Sequence, residues 1–258
     1  MVTKNELKYY SSLLKKKARD EENKFIIEGA KIISEGLSSG YNCEIVLVTN
    51  QFYRNNRQLI SNFQREKIRL EILNDSDFSK LADTITPQGI AAVFVKPTIK
   101  KNFTKHINSE LVVCLDNVSD PGNLGTIIRN CDWFGIKDIL LVNHCADPYN
   151  PKTIRSCMGS NFHLKIYNQI DFEIDLLKLK TRGYTFIYTD TNGKEISDFS
   201  FDSKTIIIFS NEANGPSENL ISIAKEKITI PRIGKAESLN VASASAVILN
   251  HLTKKNKK

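Results

Sequence analysis

Five short apolar runs in the second half of the chain constrain its fold more than any other feature of the sequence. Rich in Val, Ile and Leu, they are Leu111–Leu115, Asp138–Val142, Tyr184–Thr189, Thr205–Phe209 and Lys227–Ile230. Continuous apolar runs of this length are typical of strands buried on both faces of a parallel sheet. Helix-period segments lie between the runs, and the clearest extends from Leu124 to Phe134. This half of the chain is therefore predicted to form an α/β domain with a parallel sheet.

The first part of the chain shows a smaller α/β pattern. Strands are predicted at Phe25–Ile27, Glu44–Val48, Ile68–Leu73 and Ile90–Val95, with helices at about 6–19, 32–37 and 52–63. Because strands and helices alternate, a mostly parallel sheet is expected here too. A proline, a lysine cluster and polar residues then interrupt the pattern. We therefore predict a domain at 1–97, a linker at 98–109 and a second domain at 110–258.

The excess of positive charge lies toward the two ends of the chain. The 258 residues carry a formal net charge of +7, while their 41% hydrophobic and 25% charged content is that of a globular protein. Residues 1–100 hold 16 Lys and Arg against 12 Asp and Glu, and the last eight residues add four lysines. Such an excess hints at an anionic partner, although the lysine-rich tail is equally typical of a frayed, solubilising chain end.

Several common classes of protein find no support in the sequence. No apolar run approaches the roughly 18 residues that a membrane helix needs, and the polar start does not resemble an export signal. The motifs of dinucleotide-binding, ATP-binding, zinc-protease and serine-hydrolase sites are missing. The five cysteines show no C-x-x-C spacing, so reduced thiols are expected. The prediction is a cytoplasmic protein with no bound metal.

Three polar clusters follow predicted strands, where a parallel sheet carries its functional loops. They are NVSDPGNLGTIIR (117–129), FSNEANGPS (209–217) and IPRIGKAESLNVASAS (230–245). Each has an ordinary structural interpretation: Asn123 and Ser238 as helix caps, and Glu212 as a charge at a helix start. Arg129, about a turn and a half beyond Asn123, can instead offer a bidentate fork to a phosphate.

Together, the clusters closely resemble the three signature motifs of the SpoU/TrmH family of RNA 2′-O-ribose methyltransferases, within the SPOUT superfamily. The matching stretches are DNVSDPGNLGTIIRNCDWFG (116–135), NEANGPS (211–217) and IPRIGKAESLNVASASAVIL (230–249). More loosely, FIIEGAKIISEGL (25–37) is similar to the start of the substrate-binding domain of the rRNA-modifying members. The resemblance thus extends from the second domain into the first.

The resemblance implies a catalytic domain with a deep trefoil knot, a homodimer, and S-adenosylmethionine bound by the knotted loops. A final helix predicted at about 238–252 is rich in small residues, which suits close packing in a knot or a dimer interface. The family's catalytic positions fall on Asn123, Arg129, Glu212, Ser238 and Asn240, and its cofactor-binding positions on Ser210, Gly215, Ile230 and Leu239.

Two of these positions need comment. The family usually has glycine where this chain has Ser210. If the backbone there requires glycine geometry, the serine would weaken cofactor binding. Because the strand and Glu212 are intact, we expect the serine to be tolerated.

The guanidinium of Arg129 is a very poor base, with a pKa above about 12. We therefore expect Arg129 to bind an RNA phosphate. That phosphate would then orient the ribose hydroxyl or help to accept its proton.

The predicted function is methyl transfer from S-adenosylmethionine to a ribose 2′-hydroxyl of 23S-type rRNA. The first domain, which has a net positive charge, is expected to bind and select the RNA. A tRNA substrate is the alternative, although many tRNA-modifying relatives carry only short extensions. A catalytically inactive RNA-binding ribosome-assembly factor is a further alternative, and it is disfavoured because Arg129, Glu212, Ser238 and Asn240 are all present.

Overall fold

The computed structural model describes residues 2–99, 102–168, 170–199, 204–211 and 215–255. These residues form two compact units. The first unit contains the residues up to Thr98 together with a later segment, Tyr149–Phe162, and the second contains the rest. The sequence pattern gives no sign of this arrangement, because the later segment lies between two strands of the second unit.

Helices and strands largely alternate along the chain. Up to residue 98 they are α1 (Lys4–Ser12), α2 (Lys16–Glu22), β1 (Lys24–Glu28), α3 (Ala30–Ser38), β2 (Cys43–Thr49), α4 (Asn50–Asn55), α5 (Arg57–Arg65), β3 (Leu70–Leu73), α6 (Asp75–Phe78) and β4 (Ile90–Val95). After residue 98 they are β5 (Leu111–Asp116), α7 (Pro121–Trp133), β6 (Asp138–Val142), α8 (Pro151–Cys157), β7 (Lys165–Tyr167), α9 (Leu177–Thr181), β8 (Thr185–Glu195), β9 (Thr205–Ser210), α10 (Glu218–Ile223), β10 (Glu226–Thr229) and α11 (Val241–Lys255).

The sheet of the first unit is mixed rather than parallel. Its strand order is β1-β4-β2-β3, in which β4 is antiparallel to both neighbours and β2 is parallel to β3. The mostly parallel sheet predicted for this part of the chain is therefore wrong. The physical reason is the connection from β3 into β4, in which the four-residue helix α6 is followed by an irregular segment at 79–89, so that no full crossover helix is present. A chain without such a crossover enters the sheet antiparallel to the strands beside it.

The core of the first unit lies on both faces of its sheet, and the later segment supplies part of one face. Tyr149, Ile154 and Phe162 are buried there among residues of β1, β2 and β4. The Tyr149 ring lies 4.8 Å from the ring of Phe25, and the Phe162 ring lies 4.8 Å from that of Tyr41. Burial of large aromatic side chains dominates the energetics of such a core, so the segment is an integral part of this unit.

The sheet of the second unit is parallel throughout its described strands, as predicted. Its order is β10-β8-β9-β5-β6-β7, and every neighbouring pair is parallel. Each of the five predicted strands is present, and β7, with three residues, was not predicted. Helices α7 and α11 pack against each other, and α11 also contacts β9. The chain therefore returns from the edge strand β10 toward the centre of the sheet; the trefoil knot stays a prediction.

Part of the stretch predicted to be a linker packs into the second unit. Phe103 and Ile107 belong to its hydrophobic core, and the ring of Phe103 stacks on Tyr167 with 4.6 Å between the centroids. These two apolar residues are separated by polar ones, which hides them in the sequence pattern. Among the described residues, no helix is both long and apolar enough to cross a membrane.

Candidate functional site

A cavity of about 500 Å³ opens at the carboxyl ends of β9 and β10 in the second unit. Its walls come from residues 189–191 of β8, the end of β9, residues 228–239 around and after β10, and one face of α11. Ligands of parallel α/β sheets bind at this end of the strands, and cavities of 300–1,000 Å³ are typical of small-molecule sites. The position and the size of the cavity thus suit a small-molecule cofactor.

Most of the residues selected from the sequence line this cavity. The four predicted cofactor-binding residues do so, and one predicted catalytic residue joins them: Ser210, Gly215, Ile230, Leu239 and Ser238. The structure thus brings the second and third polar clusters together around one space. Glu212 lies outside the described residues.

Ser210 lines the cavity, and its hydroxyl is buried beneath the surface of the wall. The residue is only 8% exposed, and its Oγ finds no hydrogen-bond partner in the described part of the chain. A buried hydroxyl without a partner is costly, so rotation of the side chain toward a ligand that supplies a partner would be favourable. The backbone of Ser210 does not adopt the left-handed conformation, so this position does not require glycine geometry.

The loop that carries the second cluster is anchored on both sides of residues 212–214. The amide of Gly215, which has the left-handed φ of +63°, donates to the carbonyl of Asn211 over 3.0 Å. Beyond it, the amide of Ser217 donates to Oδ2 of Asp116 over 2.7 Å, and the side-chain amide of Asn143 donates to Oδ1. Asp116 ends β5 and is fully buried, so its carboxylate ties this loop to the centre of the sheet.

The first and third clusters are joined by a hydrogen bond between two of the predicted catalytic residues. Nδ2 of Asn240 donates to Oδ1 of Asn123 over 3.0 Å, while Oδ1 of Asn240 accepts from the amide of Ala242 over 3.0 Å. Asn240 therefore caps α11, and Ser238 does not. The cap of α7 is Asp120, which accepts from the amide of Asn123, so the interpretation of Asn123 as the cap is wrong.

Arg129 lies on α7 but does not line the cavity. It projects from the exposed side of the helix, which also carries Thr126 and Trp133. Within the described parts of the chain, the guanidinium of Arg129 makes no hydrogen bond or ion pair. Its charge is therefore available to a ligand outside the cavity.

Some residues that shape the site were missed in the sequence. Asn130 donates to the carbonyl of Ala242 and to Oγ of Ser245, both over 2.9 Å, and so links α7 to α11 beside the site. Two aspartates were also missed: Asp190, which lines the cavity, and Asp116. A signal existed for the two aspartates, because each carries a charge at the end of an apolar run. Asn130 offers no comparable signal, since a polar residue in a helix is ordinary.

The five cysteine side chains are buried or partly buried. All five are free thiols, as predicted. Cys145 lies close to the site, where burial raises the pKa of its thiol to about 11, so the thiol stays protonated near neutral pH. In the part of the chain that the structure describes, no three His, Cys, Asp or Glu side chains come together as a metal site would need.

Comparisons with known proteins agree with this geometry. The model of the SpoU rRNA Methylase family matches residues 110–250, and that of the MRM3-like substrate binding domain matches residues 4–92. The 23S rRNA (guanosine(2553)-2′-O)-methyltransferase of Bacillus subtilis is 33% identical over 248 residues, which cover 95% of each chain. The 23S rRNA (uridine(2479)-2′-O)-methyltransferase of Streptomyces viridochromogenes is 27% identical over 90% of this chain and 83% of its own. An AdoMet-bound rRNA methyltransferase from Sinorhizobium meliloti superposes with a TM-score of 0.85, at 27% identity, over 100% of this chain and 97% of its own.

Proposed function

Because the chain belongs to the SpoU rRNA methylase family, we propose that it transfers the methyl group of S-adenosylmethionine to a ribose 2′-hydroxyl of 23S-type rRNA. The observation that carries this proposal is the junction of the three polar clusters. The second and third clusters line a cavity of cofactor size, and the third is hydrogen-bonded to the first, which carries Arg129. A cofactor in the cavity and an RNA bound by Arg129 would thus lie against neighbouring parts of the second unit, the loop before α11 and helix α7.

The cavity fits S-adenosylmethionine in its chemistry. Ile228, Ile230 and Leu239 give apolar contact for an adenine ring, and the Ser210 hydroxyl offers a polar group that lacks a partner among the described residues. The segment 230–239 lines the cavity beside them and brings its backbone to the same space. When bound, the cofactor supplies a methyl group on a sulfonium, which is electrophilic without a metal.

The protein has to position the ribose hydroxyl and direct its proton to an acceptor. Correct placement of two reactants can supply about 7–11 kcal/mol of barrier reduction. A guanidinium is too poor a base to take the proton, so we assign Arg129 to an RNA phosphate next to the reacting ribose. Ser238, which lines the cavity, and Asn123 are assigned to the ribose, and Glu212 to the same site. Asn240 is a positioning residue, because its amide caps α11 and holds Asn123.

The Arg129→Ala variant tests this assignment. Misplacement of a substrate commonly costs about 100-fold in rate, so we expect at least that loss in methyl transfer to rRNA from cells that lack the enzyme. Affinity for S-adenosylmethionine should not change, because Arg129 does not line the cavity. Lys165→Ala, at an exposed cation that begins β7 in the same unit, is the control. Wild-type activity in Arg129→Ala would remove Arg129 from the mechanism, and transfer to tRNA alone would change the proposed substrate.

We also propose that the protein is a homodimer whose interface contains Trp133, at the end of α7, and the exposed side of α11. Trp133 of α7 is 84% exposed and Val247 of α11 is 42% exposed, and both belong to helices that pack side by side. Large exposed apolar side chains on adjacent elements mark interaction surfaces. Trp133→Glu should convert a dimer into a monomer in light scattering, whereas Trp133→Phe should not. A wild-type monomer at micromolar concentration would contradict the proposal.

A further inference from the structure

A second cavity, of about 640 Å³, lies wholly within the first unit, at the end of β2. The elements around it are α4, the turn that enters α6, and the segment 87–89 that enters β4. Gly89 forms part of its floor with a left-handed φ of +80°, and any Cβ there would lie 2.7 Å from Oγ1 of Thr49. The walls are close-packed at their base, so the cavity is a feature of the fold rather than a gap between side chains.

The lining combines apolar surface with polar side chains, and much of the hydrogen-bonding capacity of those side chains is unused by the described residues. The side chains of Gln51, Asn55, Gln88 and Asp75 line the cavity and make no hydrogen bond or ion pair with the residues that the structure describes. Each amide presents donors and an acceptor, and the carboxylate presents acceptors only. Phe52 adds apolar surface beside them. This mixture suits a flat ligand with donors and acceptors on its edge.

Two arginines lie beside the cavity, on α4 and α5, on the side away from Asp75 in the sequence. Arg54 lies on α4 between the lining residues, three positions after Gln51, and residues at that spacing are neighbours on a helix surface. Arg57 follows at the start of α5. Both arginines are exposed and have no ion-pair partner within the described residues. A phosphate group beside the cavity would therefore meet two uncompensated guanidinium groups.

We propose that this cavity binds one unpaired nucleobase of the substrate RNA, with Arg54 and Arg57 on the flanking phosphates. Amide side chains read base edges, and single-stranded bases are recognised when they are turned out of the stack. The Asp75 carboxylate can accept from an exocyclic amino group, which guanine, adenine and cytosine carry and uracil lacks. The inference rests on the proposed function, since it names the part of the first unit that would select the RNA.

The test measures binding of the full-length protein to rRNA purified from cells that lack the enzyme. The cavity variant is Gln51→Ala with Asn55→Ala. Its matched control, Gln58→Ala with Gln64→Ala, removes two exposed amides of α5 that do not line the cavity. Loss of two hydrogen bonds should weaken RNA binding about 10-fold in the cavity variant, and the control should bind like the wild type. Affinity for S-adenosylmethionine should be unchanged in both.

The salt dependence of binding separates the two parts of the proposal. Each phosphate contact on a single strand contributes about 0.7 to the slope of log K against log salt. Arg54→Ala with Arg57→Ala should therefore lower that slope by about 1.4, while the cavity variant should leave the slope unchanged. A uniform loss of affinity with no change of slope in the arginine variant would overturn the assignment to phosphates.

The remaining outcomes separate this inference from the proposed function. If the wild type methylates rRNA and the cavity variant binds it like the control, the base-binding cavity is wrong and the proposed function stands. If the wild type methylates no RNA, the proposed function itself fails. Binding of free guanosine monophosphate in the cavity, with unchanged RNA affinity in the cavity variant, would identify a small-molecule site and overturn the inference.

Discussion

At the scale of single residues, the sequence predicted the position of Ser210 in the site but not that of Asp116. Ser210 was selected because a motif position corresponds to it, and it does line the cavity. Asp116 was not selected, since its role depends on the amide of Ser217, 101 residues further along the chain. A motif identifies residues of a site one by one. Hydrogen bonds between distant segments become visible only when the fold brings the segments together.

Substitution of Ser210 by alanine should have opposite effects on stability and on cofactor binding. The hydroxyl is buried without a partner among the described residues, so its removal should leave the cofactor-free protein as stable or up to about 1 kcal/mol more stable. If the hydroxyl bonds the cofactor, loss of about 0.5–1.5 kcal/mol should weaken S-adenosylmethionine binding by about 2- to 12-fold. Thermal unfolding and calorimetric titration measure the two effects. Unchanged cofactor affinity would show that Ser210 does not contact it.

Substitution of Asp116 by asparagine should loosen the loop of the second cluster. Whichever way the new amide is oriented, its NH₂ group faces a donor, either the amide of Ser217 or Nδ2 of Asn143. Leaving a buried donor unsatisfied and losing a charged acceptor should cost about 2–4 kcal/mol of unfolding free energy. Denaturant unfolding measures this loss, and weaker S-adenosylmethionine binding should accompany it.

The exchanged pair, Asp116→Asn with Asn143→Asp, is the control for this prediction. The asparagine at 116 can then accept from Ser217 and donate to the aspartate at 143. The double variant should therefore recover at least half of the lost stability, since contacting residues couple by about 0.5–3 kcal/mol. Additive losses in the double variant would show that the hydrogen-bond pattern around Asp116 is not what stabilises the loop.

At the scale of elements, apolar runs predicted strands better than they predicted the direction of strands. All five strands predicted for the second unit are present, because buried parallel strands carry their signal in their own residues. β7 has too few residues to carry one. The direction of β4 in the first unit follows from a connection whose helix, α6, is a single turn, and the alternation of strands and helices does not encode this.

The start of α1 makes the stability of the first unit depend on pH. The carboxylate of Glu6 accepts from the amide of Thr3 over 2.8 Å and from Arg69 over 2.9 Å, and these bonds lower its pKa from 4.5 to about 2. A lowered pKa stabilises the fold above pH 4.5, and the stabilisation is lost as the pH falls toward 2. The Tm of Glu6→Gln should therefore lie below that of the wild type at pH 7, and the gap should close near pH 2. Arg69→Met should show a smaller gap with the same pH dependence; a gap that is constant from pH 2 to pH 7 would contradict the prediction.

At the scale of the whole molecule, the first unit is built from two separate stretches of sequence. Lys96 and Tyr149 illustrate this, because the ammonium of Lys96 lies 5.4 Å from the centre of the Tyr149 ring and 2.7 Å from Asp20. A division of the chain by composition assigns 149–162 to the second domain, between β6 and β7. Membership in a hydrophobic core is a property of three-dimensional packing, and in this segment the sequence pattern does not reveal it.

Substitution of Phe162 by alanine should therefore destabilise the first unit, although residue 162 lies between strands of the second. The ring is buried within 4.8 Å of Tyr41 and 5.7 Å of Phe94, and truncation of a buried phenylalanine costs about 3–5 kcal/mol. Amide exchange in β1 and β4 should accelerate by about two to three orders of magnitude, while β5 and β9 should change far less. Phe186→Ala, at a buried phenylalanine of β8, should give the opposite pattern. Faster exchange confined to β5 and β9 in Phe162→Ala would show that the segment stabilises the second unit instead.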